Sequence, residues 1–248
     1  MDETVYAETT EEHISTLVLN QPRKKNAISA PMMVRLGELL RDADADDEVR
    51  VVILRGEGEN FSSGGDLRQT PPELVSIENT RATLRPYLEL IRQIRRMSKP
   101  VIAQVDGYAV GGAFSLMLAC DLACVSDRVC VVPAFCQIGI VPEMGLAKFL
   151  PQLVGDKLAK ELLFTNRVLD SEELLGYRLV NRVLPAGELS AGTLALAREV
   201  AAMPPLSIQV TKNMVNAAYD SGLDATLEAE STASPFCANT AAFTNRQE

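Results

Sequence analysis

An α/β fold with a helical C-terminal region is predicted for this 248-residue chain by two features. Short apolar runs suited to strands alternate with segments of helical period up to about residue 187, and from Gly187 to Glu248 the pattern is helical throughout. This sets a core over residues 1–190 and a helical region over residues 191–248. In addition, two apolar strands run straight into glycine turns. Phe61-Ser62-Ser63-Gly64-Gly65-Asp66 follows Val51-Val52-Ile53-Leu54, and Asp106-Gly107-Tyr108-Ala109-Val110-Gly111-Gly112 follows Val101-Ile102-Ala103-Gln104-Val105.

In chain order, Thr4–Thr9 and Ile14–Asn20 read as an opening hairpin, and Pro31–Ala45 as a helix with proline at its start and Met33, Leu36, Leu39 and Leu40 on one face. Val49–Leu54 is a strand. After a loop at Pro71-Pro72, a long helix spans about Glu73 to Met97, with Leu84, Leu88, Ile91 and Ile94 inward. Val101–Val105 is a strand, Gly112–Cys120 an apolar helix, and Leu122–Val125 and Cys130–Val132 short strands. Helices begin near Gly145, Asp156 and Ser171, and Leu179–Pro185 reads as one more strand.

Composition bounds the function. Apolar residues are 47% and charged residues 23%, the balance of a chain that can bury a sizeable core. A net charge of −9 argues against a nucleic-acid partner or an anionic membrane surface. The acidic start carries no signal-type apolar stretch, and no segment reaches the length of a membrane helix. Five cysteines without framework spacing, four of them (Cys120, Cys124, Cys130, Cys136) in apolar runs, read as core residues in a reducing cytoplasm, with no metal site. The single histidine, His13, reads as a half-exposed strand position. Ser-His-Asp and Cys-His catalysis therefore lose their ground, and acid–base work falls to carboxylates.

Glycine at the end of a strand lets a backbone N–H approach a ligand closely. Two such groups aimed at one point form an oxyanion hole, and Gly112 opens a helix, where the dipole favours negative charge. Neither turn is a dinucleotide fingerprint or a phosphate loop. Taken with Lys25-Asn26-Ala27-Ile28-Ser29, Lys99-Pro100, Ala119-Cys120-Asp121 and Gly176–Pro185, the two turns make the whole chain similar to the crotonase (enoyl-CoA hydratase/isomerase) superfamily. The resemblance implies a spiral of ββα units, a C-terminal trimerisation region giving a homotrimer or dimer of trimers, and an acyl-CoA thioester as substrate. Coenzyme A would come as part of that substrate, with no resident cofactor. By the same resemblance the oxyanion donors are the N–H groups of Gly65 and Gly112.

The acidic residues choose the reaction. Hydratases of this superfamily place one glutamate three residues after the second oxyanion glycine, here Ser115, and another after a proline that matches Pro133, here Ala134. Both are missing, so a water cannot be activated by a carboxylate pair. Glu143, in Val141-Pro142-Glu143-Met144-Gly145, resembles the single base of Δ3,Δ2-enoyl-CoA isomerases. The interval from Pro133 to Gly139, one residue longer than in hydratases, also resembles them. Among Phe114, Leu116, Phe135, Ile138 and Met144 its carboxyl would have a raised pKa. The plainer reading makes Glu143 a solvated residue in the first turn of the helix near Gly145.

The remaining site residues also follow from the resemblance. Ser62, Ser63 and Gly64 offer backbone to the substrate, Asp66 and Leu67 lie beside them, and Ser115 lines the pocket or orients a group in it. Arg23, Lys24, Lys25 and Ala27 form the coenzyme A segment, although a basic trio also suits plain solvated surface. The favoured activity is enoyl-CoA isomerisation. The alternatives are a hydratase, a decarboxylase or hydrolase using the oxyanion hole alone, and a non-catalytic acyl-CoA-binding scaffold.

Overall fold

A computed structural model of the chain describes residues 3–8, 12–66 and 76–244. Leu67, the Pro71-Pro72 loop, the helix start at Glu73 and the terminal Arg246-Gln247-Glu248 lie outside the described residues. The strands are Val5–Ala7 (β1), Ile14–Leu19 (β2), Val51–Gly56 (β3), Val101–Val105 (β4), Tyr108–Val110 (β5), Leu122–Ser126 (β6), Cys130–Val132 (β7) and Arg182–Leu184 (β8). The helices are Ala30–Ala45 (α1), Ile77–Arg96 (α2), Gly112–Ala119 (α3), Leu146–Val154 (α4), Asp156–Thr165 (α5), Ser171–Gly176 (α6), Leu189–Ala201 (α7), Pro205–Ala218 (α8), Leu223–Ala238 (α9) and Ala241–Thr244 (α10).

One sheet runs β1-β2-β3-β4-β6-β8, antiparallel between β1 and β2 and parallel from there on, and β5 pairs with β7 in a second, parallel sheet. Each crossover repeats one pattern. A strand of the large sheet leads to a short extended piece in the second layer, and a helix follows. The second-layer pieces are Ile28 after β2, Ser62–Gly65 after β3, β5 after β4 and β7 after β6. Neighbours among them are joined by bridges, Ile28 to Gly65 and Ser62 to Ala109. This is the expected spiral of ββα units, and it sets the two glycine turns side by side.

Strand β3 shows why its run is apolar without alternation. Val52 and Leu54 face the main core, which also holds Met32, Leu36, Leu40, Ile94, Phe114 and Leu150, whereas Val51 and Ile53 pack with Ile14 and Ile102 against Ala197 and Ala201 of α7. Both faces are covered, so both sets of side chains must be apolar. Helix α8 is tied to this body by Lys212, 8% exposed, whose ammonium donates to the carbonyls of Ile94 and Lys99 and pairs with Asp121 at 2.8 Å. Among the described residues no helix is long and apolar enough to cross a membrane.

Several expectations are corrected. His13 is not on a strand: it sits in a left-handed turn (φ 66°) before β2, its ring nitrogen 2.8 Å from the Glu48 carbonyl. The second glycine turn contains the strand β5, because Tyr108–Val110 finds β7 as a partner. The run Leu179–Pro185 is strand only over β8. Leu179 and Val180 are buried in the approach to it, and the Asn181 side chain accepts from the Ala123 N–H in place of a ladder bond. The inward face of α2 keeps the predicted Ile91 and Ile94 and adds Leu90, with Leu84 and Tyr87 partly buried, whereas the predicted Leu88 is exposed and Tyr87 takes its place on the stripe. Of the cysteines, Cys120 and Cys124 are buried, but Cys136 is exposed at a 3-10 turn, Cys136–Ile138.

Candidate active site

The first glycine turn is held from both flanks. Ser63 N–H donates to Lys25 O and its hydroxyl to Lys24 O, Ile28 N–H donates to Gly64 O (2.8 Å), and Asp66 N–H donates to Ile28 O (2.9 Å). On the other side Ser62 exchanges backbone bonds with Tyr108 and Val110. Ser62 is fully buried, and its hydroxyl accepts the Gly64 N–H at 3.1 Å, so its side chain braces the turn from within. Amides alternate sides along an extended chain, and the bonds to Ile28 use Gly64 O and Asp66 N. The Gly65 N–H therefore points away from Ile28. Gly64 has φ +85°, and a Cβ there would lie 2.4 Å from Val110 O and 3.8 Å from the Gly112 nitrogen, so the two turns are in backbone contact.

The second turn ends in Gly111 (φ 54°), which caps α3, and Gly112 is the first helical residue. The first amides of a helix have no partner within it. Neither Gly65 N–H nor Gly112 N–H has a hydrogen-bond partner among the described residues. A Cβ at Gly65 would meet nothing within 4 Å, so that side is open, whereas one at Gly112 would press on Met144 Sδ (3.1 Å) and Ile28 Cδ1 (3.2 Å).

Met144 brings Glu143 to this place. Glu143 lies before Gly145, the cap of α4, and so is not in that helix's first turn. Its backbone carbonyl accepts the hydroxyl of Ser115 at 2.9 Å. Ser115 is fully buried on α3 and fastens the Glu143 loop to the helix that Gly112 opens. The Glu143 carboxylate is half-buried and has no hydrogen-bond or ion-pair partner among the described residues. Burial raises its pKa above the ordinary glutamate value of 4.5. Phe114 and Phe135 are core residues, and Ile138 is half-exposed on the loop that leads to Glu143.

The basic segment has found partners inside the chain. Lys24 pairs with Asp66 at 3.0 Å, and the Asp66 side chain is only 8% exposed. Lys25 lies over the Tyr108 ring at 4.2 Å, Arg23 is exposed, and Ala27 is buried. Two residues without a role in the sequence reading prove central. Buried Asn26, in a left-handed conformation (φ 53°), donates to Glu57 O and Asn60 O and accepts from Gln21 N–H, clasping the basic segment to the first turn. Its place in the Lys25–Ser29 motif was the signal for it. Tyr87 donates to Ile28 O at 3.3 Å, and burial, with the nearby Glu143 and Asp66 carboxylates, pushes its phenol up to about 12. A tyrosine one position off the predicted apolar stripe carried no such signal.

Residues 9–244 match the family described as enoyl-CoA hydratase/isomerase. The 4-chlorobenzoyl coenzyme A dehalogenase-2 of an Arthrobacter species is 34% identical over 88% of this chain and 79% of its own. The 1,2-epoxyphenylacetyl-CoA isomerase of Escherichia coli K12 is 29% identical over 89% of this chain and 85% of its own. The crystal structure of enoyl-CoA hydratase from Bacillus anthracis superposes with a TM-score of 0.91 at 27% identity, covering 96% of this chain and 92% of that one. Three chemistries share one scaffold, so the scaffold alone does not select the reaction.

Proposed function

We propose that this chain, which belongs to the enoyl-CoA hydratase/isomerase family and is an enzyme acting on acyl-CoA thioesters, moves a double bond along an unsaturated acyl chain. One observation carries the reading. Glu143 is a half-buried carboxylate with no partner among the described residues and a raised pKa, beside a Ser115 that is spent on fastening a loop and an Ala134 that has no acid. A single base that takes and returns one proton suits allylic isomerisation, whereas adding water calls for a second acid–base group.

The thioester oxygen sits between the N–H groups of Gly65 and Gly112. Glu143 removes the proton from the α carbon of a 3-enoyl thioester, and the charge moves onto the thioester oxygen as an enolate. The two amides hold that charge, the second with help from the α3 dipole. The same carboxyl then delivers its proton to the γ carbon, leaving the 2-enoyl thioester and a carboxylate ready for the next turn. Coenzyme A enters and leaves as part of the substrate.

The rate tests this role through pH. The base works as a carboxylate, so kcat/KM for a 3-enoyl-CoA is expected to fall as pH drops through a pKa above 4.5. A profile flat down to pH 4.5 contradicts it. The stability sign is opposite. A carboxyl whose folded pKa is raised contributes stability below 4.5 that is lost as pH rises through the folded value.

The same reading extends to assembly in a reducing, cytoplasmic setting. Val215 of α8, Tyr219 at its C-terminal end, and Leu223, Leu227 and Phe236 of α9 are 50–73% exposed, an apolar face suited to other copies of the chain. Sedimentation is expected to give three or six chain masses, and a single chain mass at micromolar concentration refutes the assembly.

A further inference from the structure

Ile28 adjoins both candidate oxyanion glycines. Its N–H and C=O hold Gly64 and Asp66, on either side of Gly65, and its Cδ1 lies 3.2 Å from where a Cβ of Gly112 would be. It is fully buried, so it acts as a spacer between the two turns. The carbonyl of this spacer takes a second bond from outside the spiral layer, the Tyr87 hydroxyl of α2 at 3.3 Å. Resting on the oxyanion reading of Gly65 and Gly112, we propose that Tyr87 is a positioning residue that sets the separation of those two amides through the backbone of Ile28.

The phenol suits this task. It is partly buried against the core, and burial together with the nearby Glu143 and Asp66 keeps it protonated at neutral pH, so it can donate. Without the hydroxyl, Ile28 keeps its bonds to Gly64 and Asp66 but loses this tie to α2. The segment carrying Gly65 then moves as a unit relative to Gly112. Hydrogen bonds to a developing oxyanion depend steeply on donor distance, so a small shift weakens both amides' hold on the charge while ground-state binding elsewhere is kept.

The test uses butyryl-CoA labelled with 13C at the thioester carbonyl and reads the carbonyl stretch of the bound ligand by infrared difference spectroscopy. Wild-type protein is expected to lower that stretch, and Tyr87→Phe to lower it less. With 3-enoyl-CoA, Tyr87→Phe is expected to lose about 3- to 10-fold in kcat with KM kept within about twofold, the scale of one hydroxyl bond. Its unfolding midpoint is expected within about 4 °C of wild type, since the ring and its packing remain. Incorporating 3-fluorotyrosine at position 87, a stronger donor in the same shape, is expected to hold the wild-type stretch or lower it further. A wild-type stretch in Tyr87→Phe, or a fall in kcat without any change in the stretch, overturns the positioning role alone. No lowering in the wild type overturns the oxyanion reading and this proposal with it.

Discussion

Replacing Glu143 by glutamine is expected to lower the isomerisation of a 3-enoyl-CoA about 10³-fold, within the range ascribed to a positioned acid–base group. The amide has the size and hydrogen-bonding outline of the carboxyl but cannot take a proton at neutral pH. The fold should not suffer. Ser115 bonds the backbone carbonyl of Glu143, which the substitution leaves in place, and the side chain has no partner among the described residues. Removing a charge that burial disfavours should hold or raise stability at pH 7, and it should abolish the part of the stability loss that Glu143 causes as pH rises above 4.5. Initial rates and thermal unfolding on the same preparation check both statements. Wild-type turnover in Glu143→Gln removes Glu143 from the mechanism. If malonyl-CoA decarboxylation is found and survives the substitution, the oxyanion amides act alone.

Gly64→Ala is expected to cost about 3–4 kcal/mol of stability and to abolish turnover, by the joint effect of a left-handed alanine and an unrelieved overlap. The φ of +85° already disfavours any side chain, and the new Cβ would stand 2.4 Å from Val110 O, a backbone atom that cannot swing aside. Relief requires the two glycine turns to separate, which moves Gly65 away from Gly112. Gly65→Ala is the matched control, because its Cβ would point into open space with nothing within 4 Å among the described residues. It is expected to unfold at the wild-type urea midpoint while its methyl group crowds the ligand side. Equal midpoints for Gly64→Ala and wild type would show that the turns are not locked together as described.

The spiral was legible because its signals are local. Strand runs such as Val51–Leu54, the proline at the start of α1 (Pro31) and the glycines at 64, 65, 111 and 112 each record a constraint within a few residues. What escaped depends on partners far along the chain. Strand β5 exists because β7, some twenty residues on, lies beside it, and the inward face of α2 was fixed by what α1 and α3 present to it. Within the site, Glu143 and the two glycines could be read from motifs, yet the role of Ser115 could not. Only the fold brings its hydroxyl to the Glu143 carbonyl 28 residues away, turning a candidate pocket residue into a fastener. The basic trio shows the same limit: the nearest anion for Lys24 is Asp66 of the same chain.

The most direct measurement follows a 3-enoyl-CoA incubated with the wild-type protein in deuterated water, by mass spectrometry and NMR of the acyl group. Transfer of a proton by Glu143 from the α to the γ carbon predicts a 2-enoyl-CoA product that has not gained the elements of water, carrying at its γ carbon the transferred protium, or deuterium where the protonated Glu143 exchanges with the solvent before delivery. A product that has gained the elements of water, or a 3-enoyl-CoA recovered unchanged and unlabelled, would contradict it.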